Sequence, residues 1–274
     1  MIGRSDIDLK LTLIDSAQCF HWVENEDKFG AFIDDKPVWL TQENEDIYAF
    51  SDCEKEKIAD YLDLDRDYSL MADEVKDYPK AYAAIKAFNG IRVLNQPAWE
   101  TLISFIISAN NNVSRIKGIV NRLLTNYGEA VETEFGVLYK FPTAERLSEC
   151  TVEEMHALGL GYRDRYIVES SKAIRGGFDL DALRDMDFET AHKKICTLMG
   201  VGDKVADCIL LFGCGHKESF PVDVWIDRMC RSVFGLEAKN RKELSKMARD
   251  LLGNDAGLIQ QYLFHAARSG YLEV

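Results

Sequence analysis

The chain of 274 residues reads as an α+β protein, a small N-terminal antiparallel sheet domain over residues 1–96 followed by an all-helical bundle over 97–274. Two observations predict this. Apolar and polar residues alternate over much of 6–51, the period of a half-buried strand, and from Glu54 onward the period lengthens to that of amphipathic helix. The strands are expected at DLKLTLID (8–15), FHW (20–22), GAFIDDKPVWLTQE (30–43, turning at Asp34-Asp35) and DIYAF (46–50), forming a meander. EKEKIADYL (54–62) and YPKAYAAIKAFNG (78–90) then read as helices, the second stopped at Gly90, and a boundary is placed near Pro97. Beyond it helices are expected at 98–110, 113–128, 143–150, 151–159, 163–177, 187–200, 203–215, 223–235, 241–253 and 256–270. Thr143 with Glu145, Thr151 with Glu154, and several glycines mark their ends.

Composition narrows the class. With 47% hydrophobic and 29% charged residues the chain is globular, not disordered. The start MIGRSDIDLK has no apolar signal segment and no run of about 18 apolar residues occurs, so an intracellular protein without a membrane span is expected. Seven cysteines (19, 53, 150, 196, 208, 214, 230) without a C-x2-C pair point away from disulfides, zinc or an iron-sulfur cluster, and no metal or cofactor is expected. The net charge of −13 is opposite to the usual nucleic-acid footprint, but it is unevenly spread. Residues 1–96 hold 11 basic and 21 acidic residues, whereas 97–274 hold 22 and 25, which leaves room for a local basic face around Arg115, Lys117, Arg122, Arg163, Arg165, Lys172 and Lys204.

The strongest chemical signal is LMGVGDKVADC (198–208) followed by PVDVW (221–225). Gly200 and Gly202 flank Val201 in a turn expected to be too tight for side chains, with amides free to face a phosphate. Lys204 opens the next helix and Asp223 stands where an N-cap carboxylate belongs. Cys208 lies one turn after Lys204, and Gln260 and Phe264 share a face of the last helix.

Through these residues, and through AQCFHW (17–22), GIRVLNQPAWETLISFIISANNNVSRI (90–116), LGLGYRDRYI (158–167) and GLIQQYLFHA (257–266), nearly the whole chain resembles the 8-oxoguanine DNA glycosylase/lyase family of the helix-hairpin-helix, Gly/Pro-rich, Asp superfamily. The resemblance implies a monomeric enzyme acting on double-stranded DNA that contains oxidised guanine. Its base must be flipped out of the stack, at a cost of a few kcal/mol, before any side chain reaches C1′. Lys204 is then the nucleophile that forms a Schiff base, and Asp223 stabilises the charge developing on the sugar. A lysine of ordinary pKa is almost wholly protonated at neutral pH, so the reading asks a helix N-terminus and burial beneath the nucleotide to disfavour the ammonium.

The resemblance places Cys208 and Phe264 on either face of the lesion and Gln260 on its Watson-Crick edge, with Tyr162 as the wedge in the gap. Asn110, Arg115 and Arg163 read an orphaned cytosine, and the amides of Gly200 and Gly202 clamp the backbone. Two positions depart from the pattern. Ala17 stands where relatives carry a glycine whose carbonyl accepts the N7 hydrogen of the oxidised base, so a left-handed backbone there would strain it. Trp225 stands where better-known relatives carry a phosphate-binding histidine. From residues alone, two rivals stay open: a superfamily glycosylase for another damaged base, for which a hairpin lysine is superfluous, and a non-catalytic lesion-binding module, for which Asp223 is.

Overall fold

The structure is a computed structural model that describes residues 1–273. Strands β1 (Gly3–Arg4), β2 (Val23–Asn25), β3 (Lys28–Ile33), β4 (Lys36–Glu43) and β5 (Asp46–Phe50) form one antiparallel sheet in the order β1-β5-β4-β3-β2. Asp34 and Asp35 make the two-residue turn between β3 and β4 with φ of 49° and 61°, the left-handed pair that matches the twist of a tight hairpin.

Two expected strands are absent. Leu11–Asp15 is a helical turn, because Leu9 and Leu13, four residues apart, are buried together with Thr12 and the Asp8 carboxylate caps the Leu11 N–H at 2.8 Å. The leucine alternation over 9–13 was a coincidence of two periods. FHW precedes β2 rather than forming a strand, and it joins two cores: Phe20 packs among the helices and Trp22 beneath the sheet.

Helices α1 (Lys55–Tyr61), α2 (Met71–Glu74) and α3 (Pro79–Ala87) lead to α4 (Ala98–Ser108) and α5 (Val113–Tyr127). The second part is not all-helical, since β6 (Glu129–Thr133) and β7 (Gly136–Lys140) form a hairpin there. It packs on the first sheet through Phe32, Trp39 and Leu138, and the Trp39 indole donates to Thr133 Oγ1 at 2.8 Å. Then follow α6 (Ala144–Ser148), α7 (Val152–Ala157), α8 (Asp164–Arg175), α9 (Phe188–Ile195), α10 (Asp203–Gly213), α11 (Val224–Met229), α12 (Arg241–Leu252) and α13 (Ala256–Arg268). The Thr151–Glu154 capping box is formed in full. At the centre α4 and α10, both almost wholly buried, lie side by side with Phe105 and Phe212 stacked at 5.3 Å. That core extends into α2, α3 and the 91–93 segment. No helix among the described residues is long and apolar enough to cross a membrane.

Candidate active site

A cleft of about 880 Å³ opens between the start of α10, the start of α11, α13 and the turn at Ala17. Lys204, on the first turn of α10, reaches across it toward α4. Its Nζ lies 3.3 Å from Ser108 Oγ and 5.3 Å from the centre of the Phe105 ring. Ser108 donates its own hydroxyl hydrogen to the Phe105 carbonyl at 2.8 Å, so toward the lysine it can only accept.

The hairpin behind Lys204 uses its two glycines differently. Gly200 has φ +87°, and a Cβ there would sit 2.7 Å from the Tyr166 ring, so the tight-turn argument applies. Gly202 has φ −97° and open space around it. It is the N-cap of α10 but carries no capping side chain, which leaves first-turn amides facing outward. Asp223 caps α11, its Oδ1 accepting from the Ile226 N–H at 2.9 Å.

Gln260 and Phe264, from α13, and Cys208, one turn along α10 from Lys204, complete the lining. Gln260 is buried and gives its Nε2 to the Pro221 carbonyl at 3.1 Å, while its Oε1 is buried with no partner among the described residues. Such an acceptor costs stability unless something donates to it. Burial pushes the Cys208 thiol up to about 11, so it faces the cleft as a neutral, soft surface. Phe264 is half-buried on the lip.

Ala17 has φ +58°, the strained left-handed backbone that only glycine adopts freely. Its neighbours hold it there. The Ser16 carbonyl accepts from Gln261 Nε2 at 2.8 Å and the Gln18 carbonyl from Gln96 Nε2 at 2.9 Å, whereas no donor among the described residues engages the Ala17 carbonyl.

Asn110, Arg115, Tyr162 and Arg163 come together where the α4–α5 turn meets the α7–α8 turn. Tyr162 is 54% exposed on a short 3-10 turn, its hydroxyl 3.3 Å from the Ala109 carbonyl. Arg115 is exposed and donates to the Gly159 carbonyl at 3.2 Å. Arg163 differs from the expectation of a base reader: it is 3% exposed, and its guanidinium is spent on the carbonyls of Ala109, Asn110 and Leu160. It braces the turn on which Asn110 sits, at φ +50°. The cap of α5 is Asn112, not Asn110. Trp225 is 43% exposed beside the similarly exposed Val224 at the cleft edge.

Sequence reasoning missed Ser108, Gln18 and Gln261. The first is the last residue of an apolar helix and meets Lys204 only through the fold, as Gln18 meets its partners; Gln261 carried a signal, standing beside Gln260 in the apolar run of α13. It also passed over one trio able to hold a cation, His192, Cys196 and Asp203, whose donor atoms lie within 4.8 Å of one another.

Comparison with known proteins gives the family. Residues 1–102 match the family described as the N-terminal domain of 8-oxoguanine DNA glycosylase, and residues 103–253 match the HhH-GPD superfamily of base excision DNA repair proteins. The N-glycosylase/DNA lyase of Saccharomyces cerevisiae is 32% identical, the alignment covering 90% of this chain and 73% of the yeast protein. The chain belongs to the 8-oxoguanine DNA glycosylase/lyase family. A probable N-glycosylase/DNA lyase of Methanothermobacter thermautotrophicus is 31% identical over 80% of this chain and 77% of its own length. Among solved structures of the family, the Clostridium acetobutylicum 8-oxoguanine glycosylase/lyase, in complex with double-stranded DNA containing cytosine opposite 8-oxoguanine, superposes with a TM-score of 0.91 at 31% identity, covering 98% of this chain and 94% of that one.

Proposed function

We propose that this protein is a bifunctional DNA glycosylase/AP lyase that excises 8-oxoguanine, preferably opposite cytosine, in base excision repair. The observation that carries the reading is the placement of an amine, Lys204, in a cleft whose walls offer the orphaned Gln260 Oε1 and the free Ala17 carbonyl. An 8-oxoguanine base presents N1–H and N2–H donors to the first and its N7–H to the second. Guanine lacks that N7 hydrogen, so the Ala17 carbonyl would face a lone pair instead. Cys208 and Phe264 close on the two faces of the ring, a stacking contact worth roughly 1–3 kcal/mol.

In the reaction, Lys204 Nζ as the free amine bonds to C1′ while the glycosidic bond breaks, its electron pair leaving with the base, which takes up a proton. Loss of the amine protons and opening of the sugar ring leave a C1′=N Schiff base. Removal of a C2′ proton then expels the 3′ phosphate. Asp223, fixed by the Ile226 amide, supplies the negative charge that favours positive character on the sugar. Tyr162 fills the vacated stack, Asn110 and Arg115 face the orphaned cytosine, and Arg163 holds Asn110 in place. The open amides at Gly202 and the turn at Gly200 grip the strand. The reading takes the unit to be a monomer working in the compartment that holds DNA.

The test is borohydride trapping on a duplex with one 8-oxoguanine opposite cytosine. Wild type should give a covalent adduct, and Lys204→Gln should bind the duplex and give none. Trapping by the variant would remove Lys204 from the chemistry; no adduct from either would leave the lesion-binding reading.

A further inference from the structure

A second cluster of reactive side chains lies beside the hairpin, and the reaction above makes no use of it. His192 and Cys196 stand one turn apart at the end of α9, with His192 Nδ1 3.8 Å from Cys196 Sγ. Across the hairpin, Asp203, the first residue of α10, brings its Oδ1 to 3.9 Å from His192 Nε2. Asp207, one turn on and buried, lies 3.5 Å from that same nitrogen. One imidazole, one thiol and one carboxylate thus converge within 4.8 Å.

We propose that His192, Cys196 and Asp203 form a binding site for a borderline divalent cation of the zinc class, tying the end of α9 to the start of α10. A tetrahedral zinc with Zn–N near 2.0–2.1 Å and Zn–S near 2.3 Å sets its ligand atoms about 3.5 Å apart. The His192 Nδ1–Cys196 Sγ spacing is already close to that, so Nδ1 is the nitrogen that would bind, and the remaining approach falls to Asp203, whose half-exposed carboxylate lies 3.9 Å from the other ring nitrogen and has to turn toward Nδ1. The mixed nitrogen, sulfur and oxygen set selects against magnesium and calcium, which take oxygen ligands. With Nδ1 on the ion, Asp207, 3.5 Å from Nε2 and held by Ser245 at 3.3 Å, orients the ring from behind. On binding, the Cys196 proton passes to solvent, and the thiolate and the Asp203 carboxylate balance the charge of the ion.

Arg249 bears on Asp207, and Lys242 opposes the ion more directly. Lys242 Nζ lies 3.3 Å from Asp203 Oδ1 and occupies the carboxylate, but its side chain is 72% exposed and can swing away. The consequence lies in the hairpin: a bound ion fixes Asp203, the residue before Lys204, and stiffens the turn proposed to hold the DNA backbone.

The measurement is titration of the intact protein with zinc, followed by calorimetry, and with cobalt, followed by absorption. One equivalent should bind, and cobalt should show the thiolate charge-transfer band and the visible bands of a tetrahedral centre. Cys196→Ser and His192→Gln should each weaken zinc by about tenfold or more, at least what losing an outer partner costs, and Cys196→Ser should abolish the charge-transfer band. Lys242→Gln should bind zinc more tightly than wild type, a gain that a misfolded variant cannot produce. Absence of the thiolate band in wild type, unchanged affinity in Cys196→Ser, a band that disappears in Cys53→Ser instead, or no gain in Lys242→Gln would overturn the site.

Discussion

Gly200 and Gly202 look alike in sequence and should respond oppositely to the same methyl group. In Gly200→Ala the backbone at φ +87° strains an L-residue by about 1 kcal/mol or more, and the new Cβ would stand 2.7 Å from the Tyr166 ring. Forcing atoms into a packed site costs about 1–3 kcal/mol, for a total of roughly 2–4 kcal/mol. At about 2 °C per kcal/mol for a domain of this size, the melting temperature should fall by about 4–8 °C. Gly202→Ala meets open space at φ −97° and should stay within about 1 kcal/mol of wild type, the scale of a changed N-cap residue. Urea and thermal unfolding of both variants measure the difference. A double-mutant cycle separates the two causes, because in a Tyr166→Gly background, which removes the Tyr166 Cβ at 2.8 Å as well as the ring, only the dihedral share, about 1 kcal/mol, should remain. Equal losses in the two glycine variants, or a Gly200 penalty untouched by removing the Tyr166 side chain, would refute the steric account.

Ala17→Gly should raise stability by about 0.5–1 kcal/mol, since relief of the left-handed strain at φ +58° outweighs the added freedom of the unfolded chain; a lower urea midpoint at unchanged slope would show the turn unstrained. Arg163→Ala should cost about 3 kcal/mol by leaving the carbonyls of Ala109, Asn110 and Leu160 without their donor, and Arg163→Lys should recover little, because one ammonium cannot reach three acceptors. The cytosine preference should weaken in both, read as the ratio of excision opposite cytosine and adenine. Burial pushes the Glu100 carboxyl up to about 8, so the folded protein keeps its proton where the unfolded chain has lost it. That contribution is complete below pH of about 4.5 and is lost as pH rises toward 8; Glu100→Gln should therefore gain on wild type across that window, checked by melting temperature against pH. Burial lowers His21, 3.6 Å away, to about 4, which gives the opposite limb: stability lost as pH falls from about 6.5 to 4.

What could be read in advance follows a physical division between local and long-range causes. The ten helices after Pro97 were legible because each carries its own period and its own stop, and Asp223 was legible as a cap because a proline and an apolar run bracket it. The β6–β7 hairpin was not. EAVETEFGVLYK holds little that is locally decisive, and its strands are stabilised by Trp39 and Phe32 nearly a hundred residues earlier. The turn at 9–15 failed differently, since Leu9, Leu11 and Leu13 satisfy a strand period while the fold buries Leu9, Thr12 and Leu13. At the site, residue type pointed to Lys204, Gln260 and Ala17, but not to what each side chain does with its hydrogen bonds. Arg163 shows this plainly: an arginine beside the tyrosine expected to be a wedge suggests a base reader, and only its burial reveals a brace.

The same hydrogen-bond accounting bears on how a chain of net charge −13 can grip a polyanion. Five helices begin at or near the cleft. Asn112 closes the first amides of α5, Asp187 those of α9, Asp223 those of α11 and Asn240 those of α12, which leaves α10, capped by a glycine with no side chain to offer, as the open end. Its dipole and outward amides attract phosphate without adding formal charge. Lys204 stands on that same first turn, so the contact that seats the backbone also sets the amine relative to the sugar. A basic surface would add affinity everywhere along the duplex, whereas an uncapped helix end beside the proposed nucleophile concentrates it at the one nucleotide on which that lysine would act. The acidic excess over residues 1–96 therefore opposes loose, sequence-independent adhesion more than it opposes seating at the lesion.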